Sequence, residues 1–122
     1  SHMHLLMESI DFYNKDVSNI NNEKEKELIK KVLALPIFDD LNKTNIFKEY
    51  SFLDEENEIE GVIDLLIEHT NYIDIIDYKL SNISDKEYET QLNIYKQYIE
   101  RVFKKETNIY LLSILNAELR KL

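Results

Sequence analysis

The sequence predicts an α/β fold in which a mixed β-sheet is flanked by helices. Two apolar runs, residues 61–67 and 73–79, enclose a short polar segment, Glu68 to Tyr72, suited to a hairpin turn. Between Tyr88 and Val102 the apolar positions Tyr88, Leu92, Tyr95, Ile99 and Val102 recur at spacings of 4, 3, 4 and 3, forming one stripe of a long helix. The order of elements is helices, three strands, a helix and a strand, which is the order of an α/β sandwich. A chain of 122 residues is long enough for one core and too short for two, and with one Gly and one Pro most of it should lie in regular elements.

The elements follow in order. His4 to Tyr13 can form a helix presenting Leu5, Met7 and Ile10, with Phe12 near its end. Ser1-His2-Met3 looks like a cloning remnant. Residues 4–122 would then be a single domain, cut from a larger protein. Asn14 to Asn22 reads as a polar linker. Glu23 to Leu35 has Leu28, Ile29, Val32 and Leu35 at helical spacing, with Asn22 as a plausible cap and Pro36 as the stop. A short turn can follow, up to Leu41. Asn45 to Leu53 carries Ile46, Phe47, Tyr50 and Phe52 and reads as a first strand. The run from Asp54 to Glu60 holds five acids in seven positions and reads as a solvated turn. The two apolar strands come next. Ser84 or Asp85 can cap the long helix, which runs to about Lys105. Asn108 to Leu115 is a strand, and Leu119 to Leu122 can add an edge.

Composition narrows the function. Without Cys there are no disulfides, thiolate zinc sites or iron–sulfur clusters, which fits a reducing cytoplasm. No apolar run approaches the roughly 20 residues that span a bilayer, and no signal peptide is visible. A net charge of −9 argues against a general nucleic-acid-binding surface. Any affinity for DNA must come from a local site, a bound cation or a partner.

The chemistry is carried by Asp64, Asp77, Tyr78 and Lys79. Carboxylates in apolar strands are costly unless something pairs with them. In the strand from Ile59 to Glu68, the odd positions Ile59, Gly61, Ile63, Leu65 and Ile67 form an apolar face, so alternation turns Asp64 away from that core. Asp77 and Lys79 share a face of the next strand, roughly 6.5–7 Å apart along it. A turn that pairs His69 with Tyr72 places Asp64 directly opposite Asp77. Side chains so opposed have Cβ atoms about 4.5–5.5 Å apart. Two carboxylates at that distance want a cation or a shared proton. Mg²⁺ or Mn²⁺ answers that need through oxygen ligands, to which the Tyr78 carbonyl can add one. Lys79 beside the ion can orient or deprotonate a water and stabilise charge on a phosphate. The plainer alternative is a solvated sheet face on which Lys79 pairs with one of the aspartates. The matching position of Asp64 between apolar neighbours favours the ion site.

The pattern Gly61-Val62-Ile63-Asp64, then Asp77-Tyr78-Lys79 thirteen residues later, then Gln91-x-x-x-Tyr95, resembles the PD-(D/E)XK nucleases of the AddA/RecB type. Further stretches match over nearly the whole chain. His4 to Phe12 looks like the helix that brings the family's metal-binding histidine. Lys48 to Phe52 resembles a strand that usually reads Glu-x-Pro-Phe. Tyr88 to Tyr95, with Ile109 to Ser113, looks like the C-terminal end of AddA-type helicase–nucleases. The chain departs from the pattern where Ser51 and Leu80 replace common family residues, and where no Gly-Thr precedes His4. AddB-like relatives carry a cysteine-bound iron–sulfur cluster, which this chain cannot.

The resemblance implies a restriction-endonuclease-like core and a Mg²⁺- or Mn²⁺-dependent deoxyribonuclease, an exonuclease in double-strand break repair. It implies that His4, Asp64, Asp77 and Tyr78 hold the metal, that Lys79 acts with both aspartates in catalysis, and that Gln91 and Tyr95 contact DNA or support the site. The partners implied are DNA, delivered as single strands by a helicase motor, and an AddB-like subunit. Two rival readings stand beside it: a stand-alone RecB-like repair nuclease, and a degenerate nuclease fold kept as an interaction module. Glu49 can take a distant part in the metal site, though a surface strand position is the simpler reading; His69 reads as exposed and structural in its turn, and Tyr88 and Tyr98 as packing residues.

Overall fold

The structure, a computed structural model, describes residues 1–79 and 85–122, with the Asp85 side chain left aside. Its helices are α1 (His2–Glu8), α2 (Glu23–Leu33) and α3 (Asp85–Phe103). Its strands are β1 (Asn45–Asp54), β2 (Ile59–Glu68), β3 (Tyr72–Lys79), β4 (Glu106–Ser113) and β5 (Glu118–Lys121). Two short 3-10 turns, Pro36–Phe38 and Leu41–Lys43, lead into β1. The sheet runs β1-β2-β3-β4-β5 and is antiparallel except between β3 and β4. That parallel pair needs a crossover, and α3 supplies it. The mixed sheet and flanking helices predicted from sequence are present. The cap expected for α3 at Ser84 or Asp85, and Leu80, lie outside the described residues and side chains.

Each face of the sheet has its own core. On one face α1, α2 and the segments around them bury Met7, Ile10, Phe12, Ile29, Val32 and Phe38 against Leu65, Ile67, Ile76, Tyr78 and Leu112. On the other, Leu92, Tyr95 and Ile99 of α3 cover Phe52, Ile63, Leu66, Ile73, Ile75, Ile109 and Leu111. Asn22 caps α2 as expected, accepting from the Glu25 amide at 3.1 Å.

Three elements differ from expectation. Helix α1 stops at Glu8 rather than reaching Tyr13. The Ser9 hydroxyl donates to the Leu6 carbonyl at 2.7 Å, and the Asp11 carboxylate accepts the amides of Tyr13 and Asn14. Such local bonds compete with helix continuation, and Ile10 and Phe12 enter the core from irregular backbone. On α3 the stripe ends on Phe103, packed near Phe47 and Tyr50, while Val102 is 50% exposed. The acids of the turn are solvated except the first: Asp54 is buried and paired with Arg101 and Asn57.

The fourth difference concerns β1 and β2 together. Strict alternation would put all odd residues of β2 on one face. Instead Ile59, Gly61 and Ile63 face α3, whereas Leu65 and Ile67 face α1 and α2. Strand β1 inverts in the same way: Ile46 joins the α1–α2 core, while Tyr50 and Phe52 join the α3 core. Between the paired positions Lys48–Leu65 and Tyr50–Ile63, Glu49 and Asp64 are left out of the ladder, yet the register is the same on both sides. Glu49 has a left-handed backbone, φ 50°. One residue leaves the pleat in each strand, so both strands change face at the same level.

Gly61 allows the α3 side to close. A Cβ there would meet the Phe52 and Tyr95 rings at 2.7 Å. Gly61→Ala should therefore destabilise the fold by about 1–3 kcal/mol, the usual cost of overpacking. Urea unfolding measures this, and a midpoint equal to that of the parent chain would refute the close packing.

Candidate active site

The sheet forks. Strands β2 and β3 pair from Glu68–Ile73 to Leu65–Ile76 and no further. Beyond that point β2 continues beside β1 as far as Ile59, and β3 continues beside β4 as far as Lys79. The turn does pair His69 with Tyr72, through a 2.9 Å backbone hydrogen bond. The register predicted from it therefore holds, and Asp64 and Asp77 stand one step past the last pair, one on each prong.

Asp64 spans the fork. Its Oδ2 accepts the Tyr78 amide at 2.8 Å and lies 3.2 Å from His4 Nε2. The carboxylate can only accept, so in this contact the proton is on Nε2. The His4 ring lies against Tyr78, with centroids 5.5 Å apart, and its Nδ1 is 2.9 Å from the Ser1 hydroxyl. Asp64 also shares a side-chain hydrogen bond with Asp77. Burial, then the Asp64 charge, pushes the Asp77 carboxyl up to about 8. In a strand, N–H and C=O of one residue point to the same neighbour, so the Tyr78 carbonyl turns to the same gap as its amide.

Two more acids belong to the cluster. Glu49 is half-buried and hydrogen-bonded to Glu8. Burial, the Glu8 contact and the charge of Asp64 push it up to about 7. The sequence pattern suggests a surface position for Glu49 and does not single out Glu8. A signal exists for both: Glu8 is one turn from His4 on the same helix face, and the β1–β2 register sets Glu49 level with Asp64.

The remaining residues fall as follows. Lys79 closes β3, half-buried and level with Ser113 of β4. Gln91 donates to the Tyr95 hydroxyl at 3.1 Å. Tyr95 is a core residue, and burial, then the Asp77 charge, pushes its hydroxyl up. Tyr88 and Tyr98 pack, the latter stacked on Phe52 with centroids 4.3 Å apart. His69 is not exposed: it stacks on Tyr72 at 4.2 Å and lies 3.4 Å from the buried Asp74, far down the sheet from the fork.

Carboxylate oxygens and a backbone carbonyl are hard donors and an imidazole nitrogen is a softer one, a set that suits a divalent cation, and two close acids need a positive charge or a shared proton. The donor chemistry fits a divalent cation. Among the described residues no three His, Asp or Glu side chains stand in a ready-made cage.

A model of the PD-(D/E)XK nuclease superfamily matches residues 3–119. The chain is also similar to two proteins named as subunits of an ATP-dependent helicase/nuclease. It is 32% identical over 111 residues to that of Clostridium botulinum and 25% identical over 115 residues to that of Clostridium kluyveri. These alignments cover 84% and 85% of the chain but only 8% and 9% of the relatives' own length. None of the described helices is long and apolar enough to cross a membrane.

The Asp77 carboxyl has a consequence for stability. Unfolded, it titrates near about 3.9; folded, it holds its proton up to about 8. Between these values the folded state binds more protons, so its stability falls as pH rises through the window. In EDTA, urea unfolding at pH 5 and pH 8 should show this loss, and Asp77→Asn should make it smaller. An unchanged slope in Asp77→Asn would disprove the raised carboxyl.

Proposed function

We propose that this chain, which belongs to the PD-(D/E)XK nuclease superfamily, hydrolyses DNA phosphodiester bonds with Mg²⁺ or Mn²⁺. The observation that carries the proposal is the fork that sets Asp64 and Asp77 against each other, with Lys79 two residues on. Asp64 and Asp77 hold the cation, His4 adds a nitrogen, and the Tyr78 carbonyl adds an oxygen. When bound, such an ion polarises a phosphate oxygen and acidifies water. Lys79 lies on the same strand face as Asp77, by alternation. Its ammonium binds a phosphate oxygen of the scissile group and steadies the charge that grows there during attack. Tyr95 and Gln91 back the Asp77 side of the fork.

The relatives' names describe a subunit that joins helicase and nuclease, and the chain corresponds to a small share of their length. The reading extends to a nuclease part of such an enzyme, working as an exonuclease in double-strand break repair in the cytoplasm, beside an AddB-like subunit. A motor that feeds single strands to the fork would explain how a domain of charge −9 meets DNA.

Three experiments test this. Labelled single-stranded DNA should be degraded with Mg²⁺ or Mn²⁺ and left whole with EDTA. Lys79→Ala should lose nearly all cleavage while still binding Mn²⁺ by calorimetry; full cleavage by that variant would end the assignment. His4→Ala should remain folded and bind Mn²⁺ about tenfold more weakly, within the range that altered metal surroundings produce. Equal affinity would leave a site of oxygen ligands alone.

A further inference from the structure

We infer that Lys48 is a positioning residue: its ammonium latches the end of α1 and thereby sets the His4 ring against Asp64. The inference rests on the nuclease reading only for the role it gives His4 as a ligand.

Helix α1 has seven residues, too few to persist without tertiary support. Its last carbonyls need donors from outside the helix. The Ser9 amide serves Leu5 and Leu6, and the Ile10 amide serves Met7 at 3.3 Å. The Glu8 carbonyl accepts from Lys48 Nζ at 2.9 Å, and the same Nζ donates to the Ile10 carbonyl. The ammonium also lies 5.6 Å from the centre of the Phe12 ring. A cation at this end suits the negative pole of the helix. Nζ thus gathers the carbonyls on which α1 stops and turns.

The latch is attached to the site at both ends. Lys48 pairs across the ladder with Leu65, the neighbour of Asp64. Glu8 lies one turn from His4 on the same helix face. The path from Asp64 through β2 and β1 to Lys48, then through α1 to His4, is closed by the His4–Asp64 contact of 3.2 Å. Sixty residues separate His4 and Asp64 in sequence, so His4 reaches the fork only if α1 is fixed to the β1–β2 prong. The buried Met7 anchors the helix to the core; Lys48 fixes its end and hence its rotation and depth.

Lys48→Met keeps the apolar stem and removes the donor. In the full chain under EDTA, the NMR cross-peaks between the His4 and Tyr78 rings should vanish in Lys48→Met and return in Lys48→Arg, while those between His69 and Tyr72 persist in both. Calorimetry with Mn²⁺ should show about tenfold weaker binding for Lys48→Met, and the Lys48→Met, His4→Ala double variant should bind no more weakly than His4→Ala. The latch is overturned if Lys48→Met keeps the His4–Tyr78 cross-peaks, if the His69–Tyr72 cross-peaks vanish as well, or if the two losses of affinity add. Should His4→Ala bind Mn²⁺ like the parent chain, the ligand role of His4 falls, and the metal-free ring proximity alone decides for or against the latch.

Discussion

The carboxylate of Asp64 accepts the amide of Tyr78 at the point where a strand would otherwise do so. An inner strand cannot leave its amides unpaired without cost. When β2 parts from β3 past Leu65–Ile76, the Tyr78 amide faces the gap. A short charged side chain fills the role, with a stronger bond than a neutral acceptor gives. Because that side chain is also the one against which Asp77 and His4 are set, the split of the sheet and the gathering of the acids are one event.

The two cores lie on opposite faces of the sheet, and the split is where both reach the site. His4 comes from the face covered by α1 and α2, whereas Asp77, by alternation, turns to the face covered by α3. Tyr78 packs into the first core and lends its backbone to the gap; Tyr95 packs into the second, its hydroxyl accepting from Gln91. Each face delivers part of the donor set, and neither holds it alone. A site at such a seam tolerates change in the outer surfaces of the helices, but responds to shifts of one core against the other.

Much of this was legible in the sequence. The turn from Glu68 to Tyr72 fixed the register of Asp64 and Asp77, because hairpin counting is rigid and one slip would turn every side chain over. The long helix was legible through its period, apart from its last turn. What could not be read were the places where side chains override a period. Asp11 and Ser9 ended α1 by bonding to nearby backbone. The change of face at Glu49 and Asp64 leaves the register untouched, so the apolar pattern of β2 looked like a single face. For the same reason Glu49 read as a surface residue. His69 read as exposed because a turn position says nothing of Tyr72 and Asp74 stacked and aligned around it.

Glu49 stands in a conformation that suits glycine, and holding a glutamate there costs about 1 kcal/mol or more. Its carboxyl is also kept beside other acids. On both counts the folded chain would be easier to maintain with Gly or Asn at this position. A selection for heat resistance alone would replace Glu49 early, and it would discard the acid that the left-handed turn brings to the fork. At this position the ease of the backbone and the charge of the acid cluster oppose each other.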